Sequence, residues 1–310
     1  MIVHQGYASS GLFNPVVTLG VFDGVHLGHR LLIERVKSAA RKFHGESVII
    51  TFNPHPRQVV GNDNGSFFLL TTITEKLALL EANGVDHVII LEFSRELAAT
   101  SACDFIRDML IGKTAAKHLI MGHDHRFGRE GEGDIETIRS CPDLKDIEIE
   151  QVDAFLFNGR PVSSSLIREA LLRGNIDEAN SMLGYKYELS GKVVEGKKIG
   201  RSFGFPTANI SSCSEFKLIP ANGVYAVEVI INHAEKYKGM LSIGTNPTVN
   251  SDMSKRSIEV NIFEFDRNIY GSEITVRFHS RMRDERRFAT TEELVRQIEL
   301  DKLNAMNLLT

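Results

Sequence analysis

The chain changes its hydrophobic rhythm once, near residue 185. Before that point, short apolar runs alternate with stretches of helical spacing. The run 16–22 (VVTLGVF) is a strand candidate. In 29–43, Leu32, Val36, Ala39 and Phe43 recur on one helical face. The run 47–52 (SVIITF) reads as a second strand closed by Asn-Pro-His-Pro, and further strands are predicted over 85–91, 118–121 and 147–152. Helices predicted over 75–83, 101–111 and 163–173 each stop at a glycine. Strands separated by helices require crossover connections, hence a parallel sheet with helices on both faces.

After residue 185 the period becomes two. Strands are predicted over 187–194, 223–231, 237–244, 257–265 and 273–279, with Ile258, Val260 and Ile262 on one face and Glu259 and Asn261 on the other. A single helix, about 291–307, closes the chain. Many strands and few helices predict a barrel or sandwich. The expected domains are therefore 1–184 and 185–310, which suits a length of 310 residues.

Composition narrows the classes. With 42% hydrophobic and 25% charged residues, the chain is globular rather than disordered. A net charge of −4 gives no general basic field for nucleic acid or an anionic membrane. No apolar run approaches the ~20 residues of a membrane helix, and the start, MIVHQGYASSG, lacks a signal pattern. Cys103, Cys141 and Cys213 are far apart and form no CxxC pair, so no disulfide framework is expected and a cytoplasmic setting is.

The candidate chemistry starts at the turn after the first strand. Gly20, Phe22, Asp23, Gly24, His26, Gly28 and His29 join that strand to a helix start. Ligands of open α/β sheets bind at the carboxyl ends of strands, and a helix N-terminus favours phosphate. Glycines let backbone approach a ligand, and two histidines three apart can face one site. A solvated glycine-rich turn is the simpler reading. Zinc held by His26, His29, His55, His123 and His125 with Asp23 and Asp124 is another, although the HExxH spacing is absent. Three more segments lie where they can converge: Asn53, His55 and Pro56 after the second strand, Asp124 and Phe127 in 122–128, and Ser164, Ser165 and Arg168 at a helix start.

In the β half, 196–209 combines Gly196, Lys198, Gly200, Arg201, Gly204, Pro206, Thr207 and Asn209. It is not a Walker A loop. Glycines with cations suggest a phosphate flap, Thr and Asn oxygens suit a magnesium bound mainly to nucleotide phosphate, and a charged hairpin loop is the plainer alternative. Glu259 is a carboxylate inside an apolar strand: a solvent-facing residue, or a general base.

In kind and order, these motifs resemble those of the bacterial bifunctional riboflavin kinase/FAD synthetase family. GxFDGxHxGH, TFxPHP, a GxDFxFG-like segment and SSTxIR span about 14–183. GxxxGRxxGFPTAN, NGVYA, SIGTNPT, IEVxIF and a final RxExxF segment span about 185–303. His125 stands where the family has an aromatic, Ser165 where it has Thr, and Asn261 where it often has His.

The resemblance implies a Rossmann-like nucleotidylyltransferase domain followed by a β-barrel riboflavin kinase domain with a C-terminal helix. It implies ATP, riboflavin and FMN as substrates, Mg2+ as metal and no zinc, with neither nucleic acid nor membrane as partner. For adenylylation it implies ATP contacts from Gly20, Phe22, Asp23, Gly24, His26, Gly28, His29, Ser164, Ser165 and Arg168, with His26, His29 and Arg168 catalytic. Flavin contacts there fall to Asn53, His55, Pro56, Asp124 and Phe127. For the kinase it implies the 196–209 residues named above, Mg2+ at Thr207 and Asn209, Glu259 as base, and Arg281, Arg283 and Glu285 shaping the flavin site from a loop before the closing helix. Another HxGH nucleotidylyltransferase, or a non-catalytic nucleotide-binding regulator of the same fold, stays open as an alternative.

Overall fold

The computed structural model describes residues 1–6, 11–61, 67–141, 144, 147–196, 200, 203–245 and 256–310. The chain divides into two compact units, Met1–Ser164 and Ser165–Thr310.

The first unit is built on a parallel sheet of β1 (Ile2–Gln5), β2 (Val16–Leu19), β3 (Ser47–Phe52), β4 (His87–Leu91), β5 (His118–Gly122) and β6 (Glu148–Val152), in spatial order β1-β4-β3-β2-β5-β6. All six residues of β3 are buried, as expected of a strand covered on both faces. Alternate residues feed two cores. Val17, Leu19, Val48 and Ile50 pack with Phe105, Ile106 and Leu110, while Val16, Ile49, Val88 and Ile90 pack with Ile33, Val36 and Leu80.

Three features depart from the sequence reading. β1 is a largely exposed edge strand whose four residues carry too little pattern to announce it. The predicted strand 16–22 ends at Leu19, because Phe22, Gly24 and Val25 adopt positive φ and turn the chain toward the helix Leu27–Lys42. Cys103 and Cys141 are joined in a disulfide across 38 residues. The short helices Ala102–Asp104 and Ile135–Ser140 pack together and bring the two cysteines into reach, which linear spacing conceals. Cysteine usage thus no longer argues for a reducing compartment. Among the described residues, no helix is long and apolar enough to cross a membrane.

After β6 the first unit adds a two-stranded hairpin, β7 (Leu156–Phe157) with β8 (Arg160–Pro161). The second unit follows with the helices Ser164–Leu172 and Ile176–Leu183. A closed antiparallel barrel then runs β10-β13-β12-β11-β14-β9, from β9 (Glu188–Val194), β10 (Ala208–Ser212), β11 (Gly223–Ile231), β12 (Glu235–Thr245), β13 (Arg256–Ile262) and β14 (Glu273–Arg283). Closure removes the exposed edges an open sheet would leave. The helix Thr291–Leu308 is capped by Thr290 and contributes Ala305 to a core with Ala226, Met240 and Phe263.

The units divide twenty residues before the change in hydrophobic rhythm at 184/185, since 184 − 164 = 20. Both helices of 164–183 are bonded into the barrel side. Asn180 donates to the Phe278 carbonyl at 2.9 Å and accepts from the Tyr187 amide at 2.8 Å, and the Ala221 amide donates to the Leu171 carbonyl at 3.0 Å.

Candidate active sites

In the first unit, the turn after β2 packs His26 and His29 against each other. Their rings are stacked with centroids 3.6 Å apart. His26 caps the helix Leu27–Lys42, its Nδ1 accepting from the His29 amide at 3.3 Å. An acceptor at Nδ1 puts the neutral ring's proton on Nε2, making that atom a donor. A Cβ on Gly28 would come within 3.2 Å of the His26 ring, so a glycine there lets the ring fold back. Among the described residues His29 Nδ1 is buried without a hydrogen-bond partner. Burial, then the neighbouring His26, Lys76 and His125, hold the His29 pKa well below the usual histidine value.

Several of the residues named as contacts also bond within the turn. The Asp23 carboxylate is buried and accepts from the Leu70 amide at 3.0 Å and from the Thr71 amide and hydroxyl at 2.9 and 3.1 Å. Gly24 has φ +81°, and its amide donates to Thr71 Oγ1 at 3.0 Å. The Ser164 hydroxyl donates to the Asp23 carbonyl at 2.9 Å. The Phe22 side chain is in the core, 5.0 Å from the His29 ring, and the Gly20 amide continues the ladder to the Ile50 carbonyl. Ser165 is exposed and Arg168 half-buried, one helical turn on.

Beyond β3, Asn53 is exposed, and His55 caps the helix Pro56–Val60 by accepting from the Arg57 amide at 3.0 Å. Asp124 is exposed beside His123, whereas Phe127 is buried and paired through its backbone with Gly133. His125 packs edge-on to Phe127, 6.2 Å between centroids, and burial pushes its pKa down to about 4 against the opposing pull of Asp124.

Sequence reasoning missed Lys76, on the helix Ile73–Ala82. Its side chain is 5% exposed, its Nζ donates to Thr51 Oγ1 at 3.3 Å, and burial lowers its pKa to about 8 while Asp23 pulls it upward. The signal was present: Lys76 precedes the fully buried Leu80 by four residues, on one helix face. Among the described residues, no three His, Cys, Asp or Glu side chains converge as a metal cluster.

In the second unit, β10 and β13 pair Asn209 opposite Glu259. The Thr207 hydroxyl donates to Glu259 Oε2 at 3.2 Å. A Cβ on Gly196 would meet the Asn209 amide group at 2.0 Å, and Gly200 anchors a turn through bonds from the Phe203 and Phe205 amides. Gly204 has φ +83°. Asn261 is buried and donates to the Pro206 carbonyl at 2.7 Å, which ties down the approach to Thr207. Lys198 and Arg201 lie outside the described residues. Beside Thr207 opens a cleft of about 220 Å³ with an apolar wall of Val193, Val260, Ile262 and Ile269 and the aromatic rings of Phe265 and Tyr270.

Arg281 and Arg283 are not in a loop: β14 runs through both, because its pairing with β11 continues past an irregularity at Tyr225. Arg283 grips the buried Asp301 of the closing helix with two nitrogens, at 3.0 and 2.6 Å. Arg281 Nη2 donates to the Asn222 carbonyl and to Asp284, and its side chain fills the space that Gly174 and Gly223 leave open. Glu285 accepts from Asn222 Nδ2 at 3.2 Å and occupies the room beside Gly244.

Comparison with known proteins follows the same division. Residues 11–166 match the FAD synthetase family and residues 183–309 the riboflavin kinase family. The chain is 36% identical over 294 residues to the bifunctional riboflavin kinase/FMN adenylyltransferase of Bacillus subtilis (strain 168). It is 37% identical over 290 residues to that of Escherichia coli (strain K12). Each alignment covers 94% of this chain and 91% of the relative. A solved structure of a Streptococcus pneumoniae protein, described as a macrolide-efflux protein, aligns at 32% identity with a TM-score of 0.89 over 99% of both chains.

Proposed function

Since the chain belongs to the family of bifunctional riboflavin kinase/FMN adenylyltransferases, we propose that its two reactions are carried by the two clusters just described, adenylyl transfer in 1–184 and phosphoryl transfer in 185–310. The protein phosphorylates riboflavin with ATP to give FMN, and adenylylates FMN with ATP to give FAD and pyrophosphate.

The observation that carries the kinase assignment is Glu259 held between Thr207 and Asn209. Its carboxylate accepts one bond from Thr207 and keeps acceptor capacity for the riboflavin 5′-hydroxyl, whose proton it takes as the oxygen attacks the γ-phosphorus. The Thr207 hydroxyl and the Asn209 carbonyl are hard oxygen donors beside a carboxylate, a set that fits Mg2+ held mainly by nucleotide phosphate. When bound there, Mg2+ supplies charge neutralisation at the transferring phosphoryl group. The cleft beside Thr207, with apolar side chains on one wall and Asp266, Arg267 and Asn268 also lining it, suits the nucleoside of ATP, and the 196–209 motif is the phosphate-binding segment of this reading. In this reading Arg281, Arg283 and Glu285 shape the flavin site, held in place by their bonds to Asn222, Asp284 and Asp301.

In the adenylyltransferase, an FMN phosphate oxygen attacks the α-phosphorus of ATP and pyrophosphate leaves. No protein nucleophile is needed. The work is positioning and charge stabilisation by His26 and His29 near a helix N-terminus. Asp23, Gly24 and Ser164 brace the turn that holds the histidines. Asn53, His55, Pro56 and Asp124, around the ends of β3 and β5, are the flavin side, and Phe127 supports it from the core. Cytoplasmic residence, where ATP is made, is part of this reading. Incubating the protein with ATP, Mg2+ and riboflavin and separating the flavins tests it. FMN followed by FAD is expected, and a protein that binds flavin without converting it would overturn it.

A further inference from the structure

Lys76 is a buried cation that the two half-reactions leave unexplained. Taking an ammonium out of water is costly, so a lysine that is 5% exposed calls for a reason beyond packing. Its Nζ donates to Thr51 Oγ1, and the Thr51 hydroxyl in turn donates to the Val21 carbonyl at 3.0 Å, at the start of the turn that delivers His26 and His29. Thr51 is the penultimate residue of β3, and Val21 follows β2, so this chain of bonds ties the carboxyl ends of two neighbouring strands. Asp23 stands within electrostatic reach of Lys76, but its carboxylate is already bonded to Leu70 and Thr71.

We propose that Lys76 is a positioning residue for adenylyl transfer, a buried positive charge that braces the turn at Val21 through Thr51 and so sets the His29 ring as a hydrogen-bond donor to the reacting phosphates. The inference rests on the reading that His26 and His29 form the adenylylation site. The groups facing His29 are His26 from the start of its own helix, Lys76 from the helix Ile73–Ala82 and His125 from the turn after β5, each lowering its pKa. The charge on Lys76 is itself retained up to a pKa of about 8. A neutral ring gives up a fixed charge but is not locked into an ion pair with ATP or with the departing pyrophosphate, while the lysine keeps the pocket positive.

The test compares Lys76→Met, Lys76→Arg and His29→Ala in the full chain, with FMN and ATP as substrates and riboflavin phosphorylation as the control. Lys76→Met should lower kcat for adenylylation about tenfold with little change in KM. In the same variant the His29 ring resonance should titrate at higher pH than in the wild type, because a like charge has gone. Lys76→Arg keeps the charge and should restore the low midpoint. A second measurement needs no variant: in the wild type, the His29 resonance should show an inflection near pH 8, as Lys76 discharges. His29→Ala should cost about 100-fold in adenylylation. If His29→Ala leaves adenylylation unchanged, the site itself is misassigned. If His29→Ala is crippled while Lys76→Met keeps both its rate and its His29 midpoint, or the wild-type resonance is flat from pH 7 to 9, Lys76 has no such role.

Discussion

Thr207 donates its hydroxyl to Oε2 of Glu259 at 3.2 Å, across the first pairing of β10 with β13. The bond fixes the carboxylate's rotamer and orients its remaining lone pairs. Glu259→Gln can keep the shape and accept the same bond, but an amide cannot take a proton. Riboflavin phosphorylation should fall by at least about 100-fold, while adenylylation of supplied FMN persists. Normal FMN production by this variant would mean that another group is the base.

His125 should not contribute to the pH dependence of FAD synthesis near neutrality. Its reference value suggests titration near pH 6.5, but burial pushes it to about 4, so it stays neutral from pH 5 upward. The consequence is for stability. A native pKa below the unfolded one means that the unfolded chain binds the extra proton between pH 6.5 and 4, so stability falls as pH drops through that window. His125→Phe should remove about 1–3 kcal/mol of that acid sensitivity and leave the pH profile of adenylylation between pH 6 and 8 unaltered. Urea titrations at pH 7 and 4.5 measure the first. A profile that shifts in the variant would restore His125 as a titrating participant.

Much of this was legible because strand and helix periods differ and motifs carry strong residue types. The parallel sheet and the barrel follow patterns a reader can count, whereas the roles of Thr207, Asn209 and Glu259 are decided only by the family resemblance, and their juxtaposition comes from the pairing of β10 with β13. What was hidden depends on contacts between distant segments. The bonds of the Asp23 carboxylate to Leu70 and Thr71 could not be read from the sequence. Nor could the meeting of Arg283 with Asp301 of the closing helix. Asn261 looks like a neutral replacement for histidine, yet it holds the Pro206 carbonyl. The Cys103–Cys141 bond joins residues that no spacing rule connects.

Metal removal should silence both reactions. The oxygen set at Thr207, Asn209 and Glu259 is hard and weak by itself, so Mg2+ should leave on chelation and its return should restore FMN formation. The histidines of the first unit engage backbone and one another: His55 caps a helix, and His26 both caps one and stacks on His29. Elemental analysis after dialysis should therefore find no stoichiometric zinc. One zinc per chain surviving dialysis would reopen a histidine metal site.

The fragment that carries kinase activity should begin before the family match does. The riboflavin kinase match starts at residue 183, and the hydrophobic rhythm changes at about 185, but the compact unit starts at Ser165. Asn180 is buried and bridges the Tyr187 amide and the Phe278 carbonyl, with two bonds that a chain starting at Tyr185 lacks. That truncation also strips the Leu171 carbonyl from the Ala221 amide and exposes the space where Gly174 meets Arg281. Each buried group left unpaired costs about 1–3 kcal/mol, so the shorter fragment should be less stable by roughly 3 kcal/mol or more. We expect 165–310 to fold cooperatively, convert riboflavin to FMN with ATP and Mg2+, and make no FAD. The fragment 185–310 should unfold at a clearly lower denaturant concentration, and Asn180→Ala in the longer one should reproduce part of that loss. Equal midpoints for the two fragments would show that the helices are dispensable. A folded 165–310 that makes no FMN would show that the kinase site draws on residues before 165.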